Sequence, residues 1–173
     1  MKKSTTLTAI VAILFTAAGV WFGTHRINPV AAEPAAVTNL FAQSLPALTD
    51  SPQALSQWRG RRLLVNFWAT WCAPCVQEMP ELSALQTELG VNSLQIVGIG
   101  IDSSANIKEF AKKLPVAYPL YVGGMDGSEL ARKFGDQSGS LPFTVLIDAN
   151  GSIKKTYLGR LKLAELRQDL SDK

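Results

Sequence analysis

The apolar positions of this chain change period several times. Residues 5–23 form a run of 19 positions without a charge, close to the roughly 20 that a bilayer span requires. "RLLVNFW" (62–68) and "LQIVGIGI" (94–101) are short continuous apolar runs rich in β-formers, the pattern of strands buried on both faces. Between them Val76, Met79, Leu82, Leu85 and Leu89 recur at steps of three and four. That spacing predicts a helix over 74–89, with Pro74 in its first turn and Gly90 as its C-terminal cap. Pro80 falls inside the pattern and predicts a kink. Ser103 or Ser104 N-caps a second helix running to Leu114, "YPLYV" (118–122) is a short edge segment, and "SELARKFG" (128–135) is a third helix stopped at Gly135. "FTVLIDANGSIKKTYLG" (143–159) predicts two strands turning at Asn150–Gly151, and "KLAELRQDL" (162–170) a closing helix. Strand–helix–strand–helix, then a hairpin and a last helix, predicts an α/β domain with a mixed central sheet flanked by helices.

Upstream of this domain, residues 24–38 contain two prolines and small residues without periodicity, so they read as a linker with no core face. Residues 40–60 read as an irregular lead-in to a domain that starts at residue 39. The N-terminus changes the picture most. Lys2 and Lys3 precede the uncharged run, which predicts a cytoplasmic tail over residues 1–4, a transmembrane anchor over 5–23, and export of everything beyond. A cleaved signal peptide is the alternative, with "VAA" (30–32) as its cleavage site. That site lies far from the apolar core, and the run exceeds the length of a signal-peptide core. Trp21 suits an interfacial anchor.

The net charge of +3 arises from Lys2, Lys3 and Arg26; beyond residue 32 the chain carries 14 basic and 14 acidic residues. A neutral domain with no long basic stripe gives no support for nucleic acid as a partner. One histidine and two cysteines are too few to complete a four-ligand N/S zinc site within one chain, so no metal is expected.

The two cysteines, Cys72 and Cys75, stand in "NFWATWCAPC" where a buried strand gives way to a helix. A helix N-terminus offers free N–H groups and a partial positive charge, which stabilise a thiolate at Cys72. Attack by that thiolate on a disulfide yields a mixed disulfide, which Cys75 resolves. Ala73 and Pro74 stiffen the intervening turn and bear on the relative stability of the oxidised and reduced pairs. A structural disulfide is a weaker reading, because so short a loop constrains the unfolded chain little. A metal shared between two chains is a further one.

"VNFWATWCAPC" resembles the active-site stretch of thioredoxin-fold proteins, especially the TlpA/ResA-like group of membrane-anchored thiol–disulfide oxidoreductases. The resemblance extends from about residue 40 to the C-terminus. It implies a thioredoxin-like fold and a redox-active Cys72–Cys75 disulfide with no further cofactor. "CVQEMP" contains Glu78 and Pro80, which match that group's acidic residue and helix proline. Glu78 and Cys75 share a helix face, so its carboxylate can exchange a proton with the less exposed thiol. Thioredoxin carries a buried aspartate in the preceding strand; here the residue is Asn66. Leu141–Pro142 resembles the cis-proline facing the cysteine pair, with the Leu141 backbone free to pair with an extended substrate. Many relatives have glycine where Ser140 stands. Trp71 corresponds to an exposed residue that shields the reactive sulfur and contacts partners, whereas Trp68 is expected in the core.

The resemblance implies a reductase of extracytoplasmic disulfides, such as those of apocytochrome c or oxidase-assembly factors, held in the bacterial cytoplasmic membrane by one span. The domain would stand in the periplasm or otherwise outside the cytoplasm, supplied with electrons by a membrane donor. A disulfide oxidant is the nearest rival. A thiol peroxidase is disfavoured, because Val65 and Ala69 occupy the places of the proline and threonine that peroxiredoxins set before their reactive cysteine. A non-catalytic binding or metal-delivery module that uses the fold as a docking surface is a further alternative; loss of the cysteines would be its sign, and they are present.

Overall fold

The computed structural model describes residues 34–171. The expected N-terminal tail and anchor (1–23), and the linker as far as residue 33, lie outside the described residues. Among those described, no helix is long and apolar enough to cross a membrane.

Order begins earlier than residue 39. Helix α1 (Ala35–Ala42) takes in the last residues of the expected linker, and Ala36, Val37, Leu40 and Phe41 form its buried stripe. "AAV" therefore supplies core face where its small residues had read as spacer. The lead-in is also structured. Strands β1 (Ser44–Pro46) and β2 (Pro52–Ala54) pair antiparallel, and a 3-10 turn follows over Leu55–Trp58. Ala47 bridges to Tyr121, and the indole N–H of Trp58 donates to the Tyr121 hydroxyl at 3.0 Å. This small unit covers the edge of the main sheet, which would otherwise present unpaired backbone groups.

The main sheet contains β3 (Leu63–Trp68), β4 (Gln95–Gly100), β5 (Leu120–Val122), β6 (Phe143–Ile147) and β7 (Ile153–Leu158), in the order β5-β4-β3-β6-β7. β3, β4 and β5 run parallel, while β6 and β7 run antiparallel to their neighbours. β3 is central and fully buried, as its unbroken apolar run predicts. Odd positions Leu63, Val65 and Phe67 face one core with α1 and α4; even positions Leu64 and Trp68 face the other with α2.

Helix α2 (Ala73–Leu89) runs unbroken through Pro80 and ends at Gly90, φ 69°. Its buried stripe is Cys75, Glu78, Met79, Leu82, Leu85 and Gln86. Val76, expected on that face, is half-buried, and two polar residues take part instead. Gln86 earns its place by bonding both ways to the backbone: its amide donates to Leu94 O at 2.9 Å, and it accepts from Ile96 N–H at 2.6 Å.

Helix α3 (Ser104–Lys113) is N-capped by Ser103, whose hydroxyl accepts from Asn106 N–H at 3.2 Å. Helix α4 (Gly124–Lys133) starts before the predicted Ser128, because "GMDG" (124–127) is helical and Gly123 is its N-cap. Close packing explains Gly123 and Gly127, and a φ of 51° explains Gly124. A Cβ on Gly123 would stand 2.5 Å from Ile99 Cγ2 and 3.0 Å from Gly127 Cα. Gly123→Ala is therefore expected to destabilise the domain by about 1–3 kcal/mol through overpacking, read as a lower urea midpoint with an unchanged slope.

The hairpin turns over five residues rather than two: Asp148 N–H donates to Ser152 O, Gly151 N–H to Asp148 O, and Gly151 takes φ 83°. Helix α5 (Leu163–Ser171) closes the fold.

Candidate active site

β3 delivers the chain to the site and α2 carries it away. Cys72 is the N-cap of α2, and Cys75 lies in its first turn with Pro74 between them. Cys72 N–H donates to Ala69 O at 3.2 Å, and Val76 N–H to Cys72 O at 3.1 Å, so the backbone at Cys72 is held on both sides. The two sulfurs form a disulfide, their Cα atoms 5.3 Å apart. Cys75 N–H also points at Cys72 Sγ, at 3.3 Å. That donor would remain to stabilise negative charge on Cys72 once the disulfide opens. Cys72 is 5% exposed and Cys75 wholly buried, so an incoming sulfur meets Cys72. Ala73 and Pro74 are exposed beside the pair.

Two neighbours define the rim. Trp71 is 69% exposed, the outward indole its position suggested. Trp68 is buried in the core, 5.1 Å from the Phe110 ring between centroids. Thr70 donates its hydroxyl to Asp102, whose other oxygen accepts from Ser103 N–H at 2.7 Å and the Asn106 amide at 2.8 Å. Burial alone would raise the Asp102 pKa, but these donors outweigh it and hold the carboxyl below its usual range. An anchored Thr70 fixes the loop that presents Trp71.

Behind the disulfide lies a buried polar cluster. Glu78 is 1% exposed, one turn after Cys75 on the same inward stripe. Its Oε1 accepts from the Asn66 amide at 2.7 Å and its Oε2 from Leu161 N–H at 2.9 Å. The Asn66 amide also donates to Thr144 Oγ1 at 3.0 Å. Burial pushes the Glu78 carboxyl above its ordinary value, and the Leu161 N–H, the Asn66 amide and the nearby Arg160 charge offset this only in part. Asn66 Oδ1, Trp68 Nε1 and Tyr118 Oη are buried with no hydrogen-bond partner among the described residues. Burial and then the charge of Glu78 raise the Tyr118 phenol.

The Leu141–Pro142 peptide bond is cis. Pro142 O accepts from Gly159 N–H at 2.8 Å. Two residues on, Leu161 N–H reaches Glu78, so the segment 159–161 joins the proline to the carboxylate. Sequence reasoning missed Leu161 and Thr144. Leu161 contributes a backbone N–H, which no side-chain pattern signals. Thr144 could have been found as the position paired with Asn66 across β3 and β6. Among the described residues no three His, Cys, Asp or Glu side chains cluster as metal ligands would.

A central parallel strand ending in Cys-x-x-Cys, a helix starting at the first cysteine and a cis-proline opening an antiparallel strand define a thioredoxin-fold thiol–disulfide oxidoreductase. The Redoxin family model matches residues 31–170, and the chain belongs to that family. Over 127 residues it is 30% identical to thiol-disulfide oxidoreductase ResA of Geobacillus thermodenitrificans (strain NG80-2), covering 73% of this chain and 71% of the relative. Over 177 residues it is 29% identical to ResA of Geobacillus kaustophilus (strain HTA426), covering 98% and 97%. Its fold matches the crystal structure of a thioredoxin-related protein from Neisseria meningitidis serogroup B with a TM-score of 0.65 and 33% identity, over 73% of this chain and 95% of that one. The protein is a ResA-like enzyme whose redox pair is Cys72–Cys75.

Proposed function

We propose that this enzyme is a membrane-tethered reductase of extracytoplasmic protein disulfides, with Cys72 as nucleophile, Cys75 as resolving thiol and Glu78 as proton acceptor. The thiolate of Cys72 attacks one sulfur of a substrate disulfide; a Cys72–substrate S–S bond forms and the other substrate sulfur leaves as thiolate. Cys75 then gives its proton to Glu78 and attacks Cys72 Sγ. The substrate departs with two reduced sulfurs, and the enzyme is left with the Cys72–Cys75 disulfide. A membrane donor of the disulfide-reductase type returns the two electrons. Trp71 and the Leu141–Pro142 segment are the contact surface for substrate, and Ala73–Pro74 tune the pair. No cofactor beyond the disulfide enters the scheme.

One observation carries this reading: a surface-facing Cys72 at the N-cap, with the buried Cys75 and buried Glu78 on the inner stripe of the same helix. Tethering rests on the uncharged run 5–23 behind Lys2 and Lys3. The match to the Geobacillus kaustophilus relative spans that region too. Substrates such as apocytochrome c or oxidase-assembly factors follow from the resemblance.

Trapping tests the proposal. Full-length Cys75→Ser protein, expressed in its membrane and alkylated with iodoacetamide after acid quench, is expected to carry covalent adducts of extracytoplasmic proteins with paired cysteines. Adducts confined to cytoplasmic proteins, or a chain released by alkaline washing of the membranes, would contradict it. A reduction potential near or above about −120 mV would reverse the direction and make the enzyme an oxidant.

A further inference from the structure

The loop between α4 and β6 holds a carboxylate that the scheme above leaves unused. Asp136 is 3% exposed. It stands in the wall of a groove of about 330 Å³ whose lining includes Trp71, Ile101, Arg132 and Leu141. Its Oδ1 accepts from Ser140 N–H at 3.0 Å and from the Ser138 hydroxyl at 3.2 Å. The Ser138 and Ser140 hydroxyl oxygens lie 2.8 Å apart, so the three residues form one connected network. The N–H of Asp136 itself donates to Ala131 O at 3.1 Å, which ties the network to the last turn of α4. Gly135 (φ 109°) and Gly139 (φ 64°) let the chain fold back around the carboxylate. Burying a carboxylate is costly unless its lone pairs find donors. Here they find two donors from a single short loop.

Ser140 immediately precedes Leu141. Among the described residues, neither the N–H nor the C=O of Leu141 makes a hydrogen bond. The loop is therefore held from inside by Asp136, while its outward backbone stays free beside Trp71.

We propose that Asp136 is a positioning residue for disulfide exchange: it holds residues 138–141 as a preformed edge on which an extended stretch of substrate polypeptide pairs. This rests on the reading of Leu141 as the substrate-pairing backbone. A loop fixed in advance spares the complex the cost of ordering it, which favours polypeptides over thiols too small to span the strip. Glutathione reaches Cys72 but gains little from that edge, so Asp136 separates protein substrates from small thiols without touching the sulfur chemistry.

The test compares the two on one molecule. In the Cys75→Ser protein, Cys72–S–S–peptide plus glutathione exchanges with Cys72–S–S–glutathione plus peptide thiol. One S–S bond forms for each that breaks, and a proton passes from one thiol to the other. The probe is a synthetic peptide with a single cysteine in an uncharged extended sequence, and the ratio of mixed disulfides is read by intact-protein mass spectrometry. Adding Asp136→Ala is expected to shift the ratio about tenfold towards glutathione, whereas Asp136→Asn, which still offers an amide oxygen to Ser140 N–H, stays within about twofold. An unchanged ratio in Asp136→Ala, or an equal shift in Asp136→Asn, overturns the proposal. A general loosening of the domain weakens both adducts alike, leaves the ratio unchanged, and counts against it. Failure of Cys72 to accept either thiol sinks the redox reading and this proposal together, whereas an unchanged ratio between two well-formed adducts sinks this proposal alone.

Discussion

Cys72→Ser reduces disulfide exchange to the rate of protein-free solution, while Cys75→Ser keeps the first attack and halts at the mixed disulfide. This asymmetry follows from burial and backbone geometry. Cys72 is the cysteine with exposed surface and the one that receives a backbone N–H, from Cys75 at 3.3 Å. Serine there has no accessible anionic form near neutrality and cannot attack sulfur. Cys75 is wholly buried and meets only a sulfur already joined to Cys72. Single-turnover mixing of each reduced variant with a disulfide peptide, quenched by acid and separated by mass, checks both outcomes. Equal residual activity in the two variants would show that the cysteines are interchangeable, which this geometry forbids.

Glu78→Gln slows the second half of the reaction. General-base help is worth about 10²–10⁴ in rate, so release of substrate from the mixed disulfide is expected to fall by about 10² or more, with alkylation of Cys72 unchanged. The pH profile carries the sign. Glu78 accepts a proton only when ionised, and burial raises its pKa. Release in the wild type therefore declines as pH falls through that raised value, and the Gln variant lacks this limb. The pH curve of Cys75 titration changes with it.

Stability moves the other way. The folded chain holds the Glu78 proton more tightly than the unfolded chain, whose value is near 4.5. Its contribution is most favourable below that value and is lost as pH rises through the raised folded value. Glu78→Gln is thus expected to be more stable than wild type at neutral pH and to converge with it in acid, measured by urea unfolding of the oxidised forms. Glutamine fits the site: its carbonyl keeps Leu161 N–H, and its NH₂ faces Asn66. The Asn66 amide then turns to present Oδ1, which has no partner among the described residues of the wild type. A variant that is slow in release yet less stable at neutral pH would mean that Glu78 holds the fold rather than moves a proton.

The parts of this architecture visible in the sequence share one property: their signal is carried by side chains at regular spacing. β3 and β4 announce themselves by continuous apolar runs, and α2 by its three- and four-residue steps. The cysteines mark the strand-to-helix junction directly. The phase of α2 was less legible. The Val76-based stripe turns slightly so that Cys75 and Glu78 face inward, because buried donors from Asn66 and Leu161 compensate the carboxylate.

The start of α1 inside the expected linker is not legible because the helix buries short residues, Ala36 and Val37, whose composition also suits a spacer. The start of α4 was missed because glycine reads as a breaker until Ile99 is seen pressing on Gly123. The cis state of Pro142 came from family likeness alone, since trans is the commoner form of such bonds. Asp136 gave no signal either: its meaning lies in which N–H it accepts.

The central claim is that peptide N–H groups at the start of α2 hold Cys72 as a thiolate near neutral pH. The rate of iodoacetamide alkylation of Cys72 in the reduced Cys75→Ser protein, followed across pH, measures this most directly. The midpoint is expected below the free-cysteine value of about 8.5; a midpoint at or above that value would contradict a stabilised thiolate.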